Sequence, residues 1–125
     1  MNASLHCGFI GLGAMGAPMA GHLAAKGLLA VVGNRTARKA EALAAGWKVK
    51  AAHAAADYAD CDAVFLCVSA DADVLDNVRA LADALKPGSV VVDHSTIARD
   101  TALAAAAMLA ERLIALQPSA RIRAA

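Results

Sequence analysis

Apolar residues along this chain gather in short unbroken runs. Between the runs lie longer stretches where they recur every three or four positions. Residues 5–10, 28–32, 63–68 and 89–92 are runs of the first kind and predict buried strands; 47–51, centred on Val49, predicts a further short one. Residues 14–26 (with Met15, Met19 and Leu23 on one face), 37–45, 72–85 (Val74, Val78, Leu81, Leu85) and 99–112 predict helices, and 53–58 a short one. Pro18 is compatible with the first helix because it falls in the first turn, where N–H groups lack intrahelical acceptors. Gly27, Gly46 and Pro87-Gly88 read as helix stops, and Thr36 as an N-cap. Apolar strands alternating with helices predict a parallel sheet covered on both faces, a doubly wound α/β fold of Rossmann type. Five strands are expected. A sixth would fall near 113–117, where the pattern is poor, so the sheet is expected to be incomplete at its C-terminal side.

Composition narrows this little further. The 125 residues are 59% hydrophobic and only 3% aromatic, so the core must be aliphatic and rich in alanine. A net charge of +1 and the lack of a basic stripe with interleaved aromatics argue against nucleic acid as a partner. No N-terminal signal pattern and no run long enough to span a membrane are visible. Cys7, Cys61 and Cys67 are odd in number and lack paired spacing, and His6, His22, His53 and His94 are scattered. The cysteines read as buried small hydrophobes in a reducing, cytoplasmic setting, and no metal site is expected.

The chemistry sits at the strand ends. Gly11, Gly13 and Gly16 form G-x-G-x-x-G between the first strand and the first helix, the context this fingerprint requires. Gly11 permits the tight turn, Gly13 lets backbone approach a pyrophosphate, and Gly16 allows close packing of helix on strand; the helix N-terminus adds free donors and a positive dipole end. A dinucleotide is therefore expected. After the second strand an acid would take the ribose 2′-hydroxyl of NAD, whereas an arginine suits the 2′-phosphate of NADP. The chain has Asn34-Arg35-Thr36, then Arg38 and Lys39, with no acid before Glu41. Arg35 offers a bidentate fork and Thr36 a hydroxyl. This favours NADP(H), with NAD(H) open; the plainer alternative is a solvated basic helix start. Ser69 follows the fourth strand and Ser95-Thr96 the fifth, where their hydroxyls either contact a ligand or cap the next segment. Asp93 reads as a loop-fixing residue. His94 is a general base only if a partner positions it.

Residues 8–20, Asn34-Arg35-Thr36 and Val92-Asp-His-Ser-Thr-Ile97 resemble the 3-hydroxyisobutyrate dehydrogenase family, the β-hydroxyacid dehydrogenases related to 6-phosphogluconate dehydrogenase. The likeness runs from about residue 6 to 112. It implies an NAD(P)-dependent oxidoreductase that transfers hydride between nicotinamide and a small β-hydroxyacid or semialdehyde. Some relatives reduce glyoxylate or succinic semialdehyde with NADPH, and others reduce imines. The Asn34-Arg35-Thr36 stretch looks like the NADPH-preferring branch. By position, Gly11, Leu12, Gly13, Ala14, Met15 and Gly16 would hold the pyrophosphate. Asn34, Arg35, Thr36 and Lys39 would hold the adenosine ribose phosphate. Cys67 and Val68 would line the ribose and nicotinamide passage, Thr96 would lie beside the nicotinamide, and Ser95 near the substrate.

The family continues with a substrate loop, a helix bearing a catalytic lysine and a helical domain that closes the cleft and usually makes the dimer. Residues 113–125 match none of these, so no catalytic residue is assigned within the chain. The expectation is a dinucleotide-binding domain over 1–112 with a non-matching tail, a truncated and inactive family member, explained by a frameshift near codon 113. A non-catalytic dinucleotide-binding or interaction module is the rival reading.

Overall fold

The structure, a computed structural model, describes residues 5–118 together with 122 and 123. Its elements follow the expected alternation. They are β1 (Cys7–Ile10), α1 (Gly16–Ala25), β2 (Leu29–Gly33), α2 (Ala37–Trp47), β3 (Lys50–Ala51), a 3-10 turn (Ala55–Tyr58), β4 (Ala63–Leu66), α3 (Asp71–Ala84), β5 (Val90–Asp93), β6 (Ile97–Ala98), α4 (Arg99–Ala110), β7 (Ala115–Pro118) and β8 (Ile122–Arg123). Six strands form one sheet in the order β3-β2-β1-β4-β5-β7, and every pairing in it is parallel. This is the strand order of the doubly wound Rossmann fold, which reverses direction of growth between β1 and β4.

Alternation along each strand divides the core. Ile10, Val31, Val64, Leu66 and Val91 face one side, where Val74, Val78 and Leu81 of α3 and Ala105 and Leu109 of α4 cover them. Phe9, Val32 and Phe65 face the other, against Ala20 of α1 and Ala40 and Ala44 of α2. Small residues on α1 and α2 let these helices lie close on the sheet.

The sixth strand corrects the sequence reading. β7 runs parallel to β5 from Val90↔Ala115 to Asp93↔Pro118. As an edge strand it has three of its four residues exposed, so it lacks a buried strand's apolar signature. Pro118 at its end is tolerated for the same reason. Of the expected non-matching tail, residues 119–121 and 124–125 lie outside the described residues, while Ile122 and Arg123 pair with β6.

Other boundaries move for local reasons. Gly46 does not end α2; the helix runs on to Trp47, whose ring approaches Gly21 of α1, and stops at Lys48 in the left-handed conformation. That shortens the expected 47–51 strand to Lys50–Ala51. Gly27, at φ 73°, takes the left-handed conformation just past the last turn of α1, as a helix stop requires. Met15, expected on the buried face of α1, is 69% exposed because it precedes the helix as its N-cap.

Candidate functional site

The turn after β1 and the segment after β4 part at the point where the sheet reverses, and a cleft of about 1180 Å3 opens between them. Gly11, Gly13, Ala14, Met15 and Gly16 form one wall, Asn34 and Arg35 a second, and Cys67, Val68, Ser69, Ser95 and Thr96 a third. Three motifs far apart in sequence thus meet at the carboxyl ends of parallel strands, where ligands of open α/β sheets bind.

Each glycine of the turn has a different reason to be glycine. Gly11 has φ 102°, and a Cβ there would overlap the carbonyl oxygen of Cys67. A Cβ on Gly16 would overlap the carbonyl oxygen of Gly11 and press on Phe9. A Cβ on Gly13 meets no protein atom within 4 Å. The fold therefore needs Gly11 and Gly16, while at Gly13 the free space belongs to the cleft. Behind the turn, α1 begins without a capping side chain and without an acid in its first turn. That leaves its positive dipole end facing the cleft, as an anion site requires.

Asn34 holds this turn in place. Its Oδ1 accepts the Leu12 N–H at 2.8 Å, and its Nδ2 donates to the Thr36 carbonyl at 3.4 Å. Leu12 itself is fully buried in the core, so its side chain is not part of the site. Thr36 caps α2 by position, but its hydroxyl makes no capping hydrogen bond. Lys39 lies on the exposed face of α2, outside the cleft lining. Arg35 lines the cleft and points across it, donating from Nη2 to Oδ2 of Asp73 on α3 at 2.6 Å.

The opposite wall is tied together by a buried network. The Val68 N–H donates to Ser95 Oγ at 2.8 Å, and the Ser95 N–H donates to Asp93 Oδ1 at 2.8 Å. The Ser95 hydroxyl also hydrogen-bonds Asp93. Burial raises the Asp93 carboxyl above its ordinary range, while these bonds to Ser95 oppose the shift. Ser95 lines the cleft but is only 4% exposed, and its hydroxyl ties down Val68; Thr96 beside it is exposed in the cleft. Neither residue caps α4, whose N-cap is Ala98. His94 stacks on Phe65 (centroids 5.8 Å apart), which stacks in turn on Phe9. Burial lowers the His94 pKa, against the pull of Asp93. Cys67 lines the cleft, and burial raises its thiol pKa, so it stays protonated.

Three polar side chains of the lining were not singled out in sequence. Tyr58, on the 3-10 turn, lies against Gly8 and Gly33, which explains both glycines. Asp73 and Asn77 reach the cleft from one face of α3, the Asn77 amide donating to the Asp73 carbonyl at 2.8 Å. Their signal was available: Asp73 stands in the first turn of the helix that follows a strand end. Among the described residues no group of three or more His, Cys, Asp or Glu gathers to hold a metal, and no helix is long and apolar enough to cross a membrane.

Residues 6–116 match the family described as the NAD binding domain of 6-phosphogluconate dehydrogenase. An uncharacterized oxidoreductase of Shewanella frigidimarina is 39% identical over 105 residues, 81% of this chain and 36% of that protein. One of Mycobacterium tuberculosis is 40% identical over 100 residues, 77% of this chain and 33% of the relative. The chain thus spans about a third of the length of these curated relatives. Among solved structures, an oxidoreductase of Mycobacterium avium superposes with a TM-score of 0.79 at 36% identity, over 91% of this chain and 41% of its own. The 3-hydroxyisobutyrate dehydrogenase of Mycobacterium tuberculosis, solved with L-serine, superposes with a TM-score of 0.86 at 24% identity, over 94% and 40%. At that identity the likeness concerns the fold.

Proposed function

This chain belongs to the family of the NAD-binding domain of 6-phosphogluconate dehydrogenase, and from that premise we propose that it is the NADP(H)-binding domain of an oxidoreductase acting on a small β-hydroxyacid or its semialdehyde. The observation that carries the cofactor reading is the absence of an acid at the end of β2. Arg35 lines the cleft there, and Thr36, next to it and exposed outside the lining, has a hydroxyl not used as a cap.

The residues fit a dinucleotide. The N–H groups of the turn from Gly13 to Gly16 and the uncapped end of α1 bind the pyrophosphate, and the space beside Gly13 admits it, while the Gly11 and Leu12 N–H groups are taken by the Gly33 carbonyl and Asn34. Arg35 and Thr36 take the 2′-phosphate. Asn34 works through the backbone by fixing Leu12. Cys67 and Val68 border the nicotinamide ribose, Val68 being locked by Ser95, and Thr96 stands beside the ring. Bound there, the nicotinamide supplies or accepts the hydride. The protein's part would be to hold the ring in place through these residues, since near-attack geometry decides the rate. His94, which lines the cleft, is stacked on Phe65 of the core. Imine substrates are the second reading, because reductive aminase and imine reductase structures share the fold. Three free cysteines suit a reducing compartment, and we place the protein in the cytoplasm as part of a homo-oligomeric enzyme.

Titration of the protein with NADPH and with NADH, followed by nicotinamide fluorescence, tests the reading. NADPH should bind at least about tenfold more tightly, as expected for a charge-assisted phosphate contact. Binding of neither by folded protein, or tighter binding of NADH, overturns it.

A further inference from the structure

We infer that Asp73 sets how strongly this cleft prefers a phosphorylated adenosine ribose, by competing with the 2′-phosphate for the Arg35 guanidinium. The inference rests on Arg35 being the phosphate ligand and adds the residue that tunes it.

The two ends of the ion pair are unequal. Asp73 is fixed: its side chain is 25% exposed, and α3 beneath it is anchored in the core by Val74, Val78 and Leu81. The first turn of α3 is held further by Asp71, which accepts the Ala98 N–H at 2.9 Å and the Thr101 hydroxyl at 2.7 Å. Arg35 is the exposed end, 78% exposed on the loop between β2 and α2. A fixed carboxylate therefore draws a rotamer-rich cation over the cleft from the far wall. The contact is a single Nη2–Oδ2 bond at 2.6 Å rather than a two-bonded fork. A dianionic phosphate arriving on the β2 side has to take the guanidinium from Asp73, and it meets the like charge of Asp73 while doing so. NADH carries no phosphate at this position and gains nothing from Arg35, so its binding is insensitive to the exchange. The effect is one of selectivity, not of general affinity.

The test is the pair of dissociation constants for NADPH and NADH in the protein, in Asp73→Asn, in Arg35→Gln and in the double variant. Asparagine keeps size and hydrogen bonding and removes the charge. Asp73→Asn should tighten NADPH about two- to fivefold, the range an exposed ion pair commands, and leave NADH unchanged. The gain should shrink at high salt, where the exposed pair is already screened. It should also shrink in the Arg35→Gln background, which a purely structural effect of Asp73 would not predict. An unchanged NADPH-to-NADH ratio in Asp73→Asn, or weaker NADPH binding, overturns the inference and leaves the cofactor reading standing. An equal gain with and without Arg35 also overturns it, since Asp73 would then act on the phosphate directly. If folded protein binds neither dinucleotide, the reading of the cleft falls and the inference with it.

Discussion

Asn34 separates structure from charge in this cleft, because one side chain serves both. Its Oδ1 accepts the Leu12 N–H at 2.8 Å, tying the glycine turn to the end of β2 across 22 residues of sequence. Leu12 is fully buried, so in Asn34→Ala its N–H loses its acceptor where water is scarce. Leaving a buried donor unpaired costs about 1–3 kcal/mol. For a domain of this size that lowers Tm by roughly 4–12 °C. The turn is then free to shift, and both dinucleotides should weaken together. Asn34→Asp keeps the acceptor and makes it charged, which strengthens the bond to Leu12. It gives up only the long, exposed contact of Nδ2 with the Thr36 carbonyl at 3.4 Å. Its Tm should stay within about 3 °C of the parent, under 1 kcal/mol. Its charge stands where an acid would bind the 2′-hydroxyl of NAD. A carboxylate about 4 Å from a phosphate charge is worth about 1–4 kcal/mol of repulsion between water-like and surface-like screening. The NADPH-to-NADH preference should therefore fall at least about fivefold. Thermal unfolding by circular dichroism and titration with both dinucleotides measure the two effects. If Asn34→Asp loses as much stability as Asn34→Ala, the hydrogen bond is not what holds the turn. If its cofactor preference does not move, the end of β2 does not face the 2′ position.

The glycine turn makes a second pair of contrasting variants. Gly13→Ala, whose Cβ meets no protein atom, should change stability by less than about 0.5 kcal/mol, yet weaken dinucleotide binding at least about tenfold. Gly16→Ala, whose Cβ overlaps the Gly11 carbonyl, should lower the unfolding free energy measured in urea by about 1–3 kcal/mol; equal stability for the two would contradict the packing argument. Asp57 predicts an acid-sensitive region. Hydrogen bonds from the His53 N–H, from Lys50 and from the Ala54 N–H lower its pKa to about 2. Its folded pKa lies below its unfolded value, so its contribution is present above the ordinary carboxylate range and is lost as pH falls from there toward about 2. Urea unfolding between pH 5 and pH 2 should be less pH-dependent in Asp57→Asn; an unchanged slope would show that other carboxylates dominate acid unfolding.

The sequence by itself determined the parallel sheet and the phosphate turn, because both are local. Short, continuously apolar runs bounded by turn residues predict strands covered on both faces, and β4 and β5 are such strands, fully buried on one face and half-buried on the other. A G-x-G-x-x-G turn between strand and helix is a local pattern, Gly16 being glycine because of Gly11 five residues before it, although Gly11 must also clear the Cys67 carbonyl that the sheet brings beside it. The end of β2 was legible for the same reason, since the chemistry is that of three consecutive side chains. What tertiary structure decided is every tie between segments. β7 is a strand because the free edge of β5 supplies its hydrogen bonds, not because Ala-Leu-Gln-Pro favours one. Ser95 reads in sequence as a ligand contact or a helix cap. The fold turns its hydroxyl inward, to Val68 at a separation of 27 residues, because β4 and β5 lie side by side in register. Arg35 reads as a free phosphate ligand, and only the approach of α3 across the sheet gives it Asp73, 38 residues away. Periodicity records which face of an element is buried; which polar side chains meet is set by strand order and register, and these are properties of the assembled sheet.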